Sequence, residues 1–446
     1  MDKFDVVVVG AGTGGCMAAK TSAKMGLSVC LIECKNADLI GDKVCGDAIG
    51  KHHFDNLGLS YPRGEELERV IEGIKIYSPD MTTVFTLVGK ELHGFMINRH
   101  AFGQRMLKEA LNAGATLFDS TQALEPIIEG GFVRGVIARN TKTGSKLKFE
   151  GKVVVDASGH TAAIRRKLPP EIGIERKIDK KDEIVCYREI RALENEIENP
   201  NFCEIYLNLD AAPGGYYWIF PKSDSRVNVG LGVAAVGNFP NPKRQLYKFV
   251  LSKSVFSGST IIHGGGGVVP TRRPLDSFVG NGVVVVGDAA CNVNPIHGGG
   301  IGPSMMAGKI AGEVIAEALS KGEPTMEALW PLNVRYMSDY GAKQAGLDIF
   351  RIFLQSLTNE DINYGMKYRL IKEEDVLKAS MEGRIHLNVT DVTRRVIIGL
   401  GRMRFLGKLY EMARKSRRVR ELYANYPKTP KDFPQWRRMV QEVFAS

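Results

Sequence analysis

No two of the seven cysteines (Cys16, Cys30, Cys34, Cys45, Cys186, Cys203 and Cys291) stand in a C-x-x-C pair. An odd, scattered set speaks against a disulfide framework and against zinc-ligand spacing, so reduced thiols in a cytosol and no metal are expected. Cys16, Cys30 and Cys34 are expected to be small buried hydrophobes, the common state of a free cysteine. No window approaches the roughly 18 apolar residues of a membrane span. No basic stretch followed by an apolar one opens the chain, so no secretory signal is expected. The expected location is the cytoplasm, at most peripheral at a membrane. Internal repeats and low-complexity segments are missing too, which sets solenoids and disordered arrays aside.

What is present is the composition of a globular protein. The 446 residues are 44% hydrophobic and 25% charged, enough for one large or two ordinary domains. The net charge of +10 is unevenly spread. From Arg402 to Arg438, twelve Lys and Arg face three acids, Glu411, Glu421 and Asp432, which is nearly the whole excess. A basic helical stretch of this kind is either a solvated face or a contact for anionic lipid or a phosphate-bearing substrate. Nucleic acid is not expected as a partner, because the rest of the chain reads as a metabolic enzyme.

The order of patterns points to an α/β fold. Residues 4–34 read as a β-α-β unit: strand FDVVVV, a Gly-rich turn, a helix to about Met25 and a strand from Ser28 to Glu33. Strands around KIYSP and TVFTLV precede a helix from about Arg99 to Ala113. Turn signals at Gly130-Gly131 and Thr143-Gly144 suggest a meander over 124–150. Residues 161–275 read as mainly antiparallel strands, and GNGVVVVGDAA then returns to a buried strand. That strand must rejoin the first sheet. The expected organisation is a Rossmann-like dinucleotide-binding unit at 1–160 and 276–320. An antiparallel β substrate unit occupies 161–275 with part of 60–98, and a helical region occupies 321–446.

Gly10-Ala11-Gly12-Thr13-Gly14-Gly15 is a G-x-G-x-x-G between a strand and a helix. Gly10 allows the tight turn, Gly12 lets backbone approach a pyrophosphate, and Gly15 lets the helix pack close to the strand. Glu33, about 20 residues on, suits the ribose hydroxyls of an adenosine. A second such string is absent. Later, VVVVGDAA delivers Asp288 to the carboxyl end of a strand, where ligands of α/β sheets bind. Gly298-Gly299-Gly300 opens the next helix and leaves a bare face for a flat ring. Finally, Tyr216, Trp218 and Phe220 alternate along one strand and share a face, as a core wall or as the lining of an apolar channel.

Together these strings carry a family likeness. GxGxxG…Glu33, DASG at 156–159 and GDAA…P-x-x-GGG-x-G resemble the para-hydroxybenzoate-hydroxylase-like group of FAD enzymes. Pro213-Gly214-Gly215-Tyr216-Tyr217-Trp218-Ile219-Phe220-Pro221 matches the P-x-x-Y-x-W-x-F-P pattern of geranylgeranyl reductases. Lys43-Val44-Cys45-Gly46-Asp47 and Pro295-Ile296-His297-Gly298-Gly299-Gly300 look like the same family, especially its archaeal lipid-saturating branch. The likeness runs from residue 4 to about 430 and includes NYGMKY and YGAKQA.

The resemblance implies FAD on Gly10, Gly12, Gly14 and Gly15, with Glu33 on the ribose. It implies Cys45, Gly46 and Ala48 beside the flavin, Arg99 at the pyrophosphate and the backbone of Ala123 at the adenine. Asp288 would hold the ribityl chain, with Gly300 and Ile301 at the isoalloxazine. Tyr216, Trp218 and Phe220 would line the pocket of a geranylgeranyl lipid, since a polyisoprenoid offers only hydrocarbon.

The implied reaction is saturation of an isolated alkene. No carbonyl stabilises a carbanion there, so an acid must supply a proton and aromatic faces must tolerate cationic character. Cys45 is the first candidate for that acid, either as donor or as a residue that only packs on the ring. His297 is the second, and His52 and His53 read as loop surface. The electron donor stays open between NADPH, a ferredoxin and a quinol. A flavin monooxygenase of an aromatic or polyprenyl substrate also remains open. So do a reductase of a chlorophyll side chain or of free geranylgeranyl diphosphate, and an isoprenoid-binding flavoprotein without turnover.

Overall fold

β-Branched runs covered on both faces make parallel strands, and Val6, Val7 and Val8 are fully buried. The computed structural model describes residues 3–376 and 403–445. Arg402, and the part of the expected helical region from 377 to 402, lie outside the described residues. Strand Lys3–Val9 sits inside an eight-stranded sheet, parallel to Val29–Ile32 on one side and to Lys146–Asp156 on the other. Thr116–Phe118 and Val283–Val285 extend the parallel set at its two sides. The late strand thus rejoins the sheet that the first strand began. Phe132–Asn140 pairs antiparallel with Lys146–Asp156 and, on its other side, with Thr121–Glu129, the two outer strands turning at Gly130 and Gly131, both with positive φ.

Helix Thr13–Lys24 lies on this sheet, and helix Ile301–Leu319 packs on that helix with no side chain between them at the crossing. A Cβ on Gly308 of Ile301–Leu319 would stand 2.2 Å from the Gly14 carbonyl of Thr13–Lys24. Helix Arg99–Asn112 begins at Asn98, whose side chain accepts from the His100 and Ala101 amides. The cap fixes Arg99 in the first turn.

A second sheet has seven strands in the order Thr260–Pro270, Glu183–Ala192, Arg226–Ala234, Tyr216–Pro221, Phe202–Tyr206, Gly73–Tyr77 and Val84–Val88. It is antiparallel except where Phe202–Tyr206 runs parallel to Gly73–Tyr77. Side-chain alternation sorts its aromatics. Tyr77, Tyr206 and Tyr217 stack at 4.5 Å steps on one face. Tyr216, Trp218 and Phe220 form the other face, with ring centres 6.0 and 6.1 Å apart.

The last helices pack against the first sheet's unit. Met403–Ala424 buries Phe405, Leu409, Met412, Ser416, Val419 and Leu422, a helical stripe of three- and four-residue steps. The basic stretch is not uniformly solvated. Arg437 Nε pairs with Asp276 at 2.9 Å, Lys415 with Glu411 at 2.7 Å, and Lys408 donates to the Ser356 carbonyl at 2.9 Å. Arg404, Arg414, Arg417 and Arg418 remain exposed. Among the described residues, no helix is long and apolar enough to cross a membrane.

Candidate active site

The tight turn after Lys3–Val9 is built by glycine. Gly10 has φ +103°, and a Cβ there would meet the Ala157 carbonyl at 2.5 Å. A Cβ on Gly15 would lie 1.9 Å from the Gly10 oxygen. Gly12 differs, since its Cβ would meet no protein atom within 4 Å and would project into a cavity of about 970 Å³. Glu33 closes this turn, with Oε2 accepting from the Ala11 amide at 2.8 Å.

The same cavity is lined by Gly10, Gly12, Glu33, Cys45, Gly46, Arg99, Ala123, Asp288, His297, Gly300 and Ile301. It is also lined by Tyr216, Trp218 and Phe220, and by apolar side chains such as Ile76, Phe85, Phe350 and Leu354. Three residues implied as FAD contacts do not line it. Gly14 is consumed by packing, where a Cβ would be 3.1 Å from the Ser304 carbonyl. Gly15 serves the closeness of helix and strand. Ala48 points outward on the small strand Ala48–Gly50.

The donor set fits a dinucleotide. Arg99 is 7% exposed, and its Nε and Nη1 have no protein partner. An unpaired buried guanidinium is costly unless an anion completes it. Lys43 also faces the cavity, 2.9 Å from Asp288 Oδ2, and that carboxylate holds its ammonium above the usual range. The Gly12 backbone at the start of helix Thr13–Lys24, Arg99 and Lys43 thus make a cradle for a pyrophosphate.

Cys45 sits in the loop opposite the aromatic wall. Its Sγ accepts from the Asp47 amide at 3.3 Å, and burial first, then the Asp47 carboxylate, raises the thiol above its ordinary value. The thiol is therefore a neutral S–H at neutral pH. Tyr216 donates its hydroxyl to the His297 carbonyl at 2.8 Å, joining the wall to the Gly-rich turn. The His297 ring is exposed to the cavity, and desolvation by the surrounding protein pushes its pKa down to about 4. It is a neutral imidazole whose Nδ1 accepts from the Gly299 amide at 3.1 Å, which makes it a poor acid.

Two sequence expectations are corrected. Cys34 is exposed and not buried, because it lies just past the strand Val29–Ile32, and its Sγ donates to Glu33 at 3.1 Å. His52 and His53 lie in helix Lys51–Leu57 and not in a loop; His52 is exposed, as expected, and His53 is half-buried. The His53 ring packs beneath Gly302, 2.2 Å from where a Cβ there would stand, and burial drives its pKa to about 3. His53 and His297 thus protonate near 3 and 4 when folded, against an ordinary 6.5. Stability is full above about pH 6.5 and falls as pH drops from there, because only the unfolded chain takes up these protons. Thermal melts should show this fall, and His53→Gln should flatten it. An unchanged slope in that variant would rule His53 out as a cause.

The sequence also concealed several site residues. Arg188, 4% exposed, donates Nε to the Cys45 carbonyl at 3.2 Å and sits 2.6 Å from His263 Nδ1. Asn228 donates to the Cys45 carbonyl at 2.8 Å and to Asp47 Oδ2 at 2.9 Å. It accepts from Trp218 Nε1 at 2.9 Å. Gly264, Gly266 and Gly267 line the cavity from the edge strand Thr260–Pro270.

Residues 5–186 match the FAD dependent oxidoreductase family, and residues 182–269 match the geranylgeranyl reductase catalytic domain. The chain is 46% identical over 445 residues to the digeranylgeranylglycerophospholipid reductase of Sulfolobus acidocaldarius, covering 99% of this chain and 98% of that one. The protein of the same name from Methanothrix thermoacetophila is 34% identical, over 86% of this chain and 95% of its own. Among solved structures, a geranylgeranyl bacteriochlorophyll reductase-like protein from Thermoplasma acidophilum superposes with a TM-score of 0.77 at 24% identity, over 92% of this chain and 100% of that one. A myxobacterial chondrochloren halogenase superposes with a TM-score of 0.64 at 17% identity, over 90% of this chain and 98% of that one. At those identities the solved structures share the fold alone. With a dinucleotide cradle in its cavity and near full-length relatives in sequence, the chain belongs to the digeranylgeranylglycerophospholipid reductase family of FAD-dependent oxidoreductases.

Proposed function

We propose that this enzyme saturates the double bonds of geranylgeranyl chains on archaeal-type membrane lipids, digeranylgeranylglycerol phospholipids or their precursors. The observation that carries the reading is that one cavity holds both the FAD cradle and the aromatic wall. In this reading the parallel-sheet unit, 1–160 with 276–320, carries the cofactor, and the seven-stranded sheet covers the lipid chain. Bound FAD, once reduced, supplies a hydride. The rest belongs to side chains of the protein. Arg99 and Lys43 hold the pyrophosphate, Glu33 the ribose and Asp288 the ribityl chain. Tyr216, Trp218 and Phe220 exclude water and face the alkene with π-electrons that favour cationic character. Cys45 Sγ gives the proton.

The test is anaerobic. Chemically reduced enzyme is mixed with digeranylgeranylglycerol phospholipid and the lipid mass is followed. Gains of two hydrogens per double bond support the reading. Unchanged lipid, with flavin reoxidised only by air, overturns it.

A membrane contact belongs to the same proposal. Met403, Tyr410, Arg414 and Arg417 recur at helical spacing, and Met403 and Tyr410 are 60% and 69% exposed. An exposed aromatic among arginines suits an anionic lipid surface. Charge reversal of Arg414, Arg417 and Arg418 should abolish sedimentation with anionic vesicles. Undiminished binding would refute this contact.

A further inference from the structure

Four ionisable side chains that the scheme above leaves unused lie in file between solvent and the Cys45 loop. Arg226, the outermost, has a side chain 40% exposed, with Nη2 3.3 Å from Glu68 Oε1. Glu68 is 13% exposed and its other oxygen contacts Lys222 Nζ. Lys222 is 5% exposed and donates to Asp47 Oδ2 at 2.7 Å. Asp47 is 2% exposed and, through its own amide, touches Cys45 Sγ. Exposure thus falls stepwise toward the site.

A scaffold does not need these charges. Two buried carboxylates and one ammonium hold a loop no better than apolar packing of the same volume. Asp47 also occupies φ +64°, a conformation unfavourable for a residue with a Cβ. Its Oδ1 is buried without a partner and so is free to carry a proton. Asn228 ties this inner end of the file to the Trp218 indole.

We propose that Glu68, Lys222 and Asp47 form a proton path that refills the Cys45 thiol from solvent between successive reductions. The inference rests on the reductase reading. Each saturation consumes one hydride and one proton: the S–H bond of Cys45 breaks, a C–H bond forms, and a thiolate is left. Asp47 takes a proton from Lys222 Nζ and passes it to Sγ. Lys222 recovers one from Glu68, which takes its own from solvent. No oxidant or reductant enters these steps. The charged groups around Cys45 favour refilling. The Asp47 carboxylate opposes a thiolate, against the weaker pull of Arg99 and Lys43. A substrate with several double bonds makes the refill matter.

The test uses reduced holoenzyme and scores products by the number of bonds saturated. Glu68→Gln keeps size and hydrogen bonding but carries no proton. It should perform the first saturation at the wild-type rate and each later one about tenfold more slowly, with imidazole or acetate restoring the rate. A second readout needs no turnover. Iodoacetamide labelling of Cys45, followed by peptide mass, should begin about one pH unit lower in Asp47→Asn. Wild-type rates for every bond in Glu68→Gln, or slowing that small acids do not relieve, would overturn the path. If Asp47→Asn does not fold, Glu68→Gln decides alone. If the wild-type enzyme itself leaves the lipid unchanged, the reductase reading fails instead.

Discussion

Gly15→Ala should give a protein that loses its FAD and part of its stability, whereas Gly12→Ala should lose FAD alone. The two glycines lie three residues apart but face different things. A methyl on Gly15 would sit 1.9 Å from the Gly10 oxygen, inside the 3.0 Å that real Cβ contacts respect, and its neighbour is backbone. The helix must back away from the strand, which costs about 1–3 kcal/mol or more. That displacement carries the Gly12 amide away from the pyrophosphate. At about 1.4 kcal/mol per factor of ten, FAD affinity should fall about 100-fold. A methyl on Gly12 meets only cavity, so the apoprotein should melt like wild type while flavin is excluded. Flavin absorbance after gel filtration, with melting of both apoproteins, separates the two. Retained FAD in Gly15→Ala would show that the helix tolerates the shift.

Cys45→Ala should slow lipid saturation by about 10²–10⁴-fold, the usual contribution of a positioned general acid, while FAD stays bound. Burial and the Asp47 carboxylate keep the thiol protonated, and the other candidate, His297, is a neutral imidazole with a pKa near 4. Single-turnover mixing of reduced enzyme with lipid reads the proton-coupled step without the electron donor. An unchanged rate would remove Cys45 from the chemistry and leave it as packing against the ring.

Features fixed by local geometry were legible in the sequence. The Gly10–Gly15 turn and the shared face of Tyr216, Trp218 and Phe220 follow from backbone rules spanning a few residues, whereas the closing of that turn by Glu33, 22 residues from Ala11, was not foreseen. What stayed hidden depends on pairing between distant strands. Lys222 follows a proline and reads as a surface lysine, yet it meets Asp47 across 175 residues of sequence. Asn228 left a trace, as the one polar residue within Val227–Ala234. A polar side chain in a buried strand must find a partner, but the strand alone does not name it. His53 misled because paired histidines near glycine look like a loop. Two late segments cover it: helix Ile301–Leu319, returning over Lys51–Leu57, and Tyr340, whose ring stacks on His53.

The indole of Trp218 makes this protein its own spectroscopic probe. The chain has three tryptophans. Trp330 and Trp436 pack with Tyr426 and Phe433 among the last helices and do not line the cavity. A chain in which those two are phenylalanine carries a single emitter, anchored by its N–H to Asn228 and facing the cavity. Its emission would report hydrocarbon arriving at the wall, and its quenching would report cofactor loading.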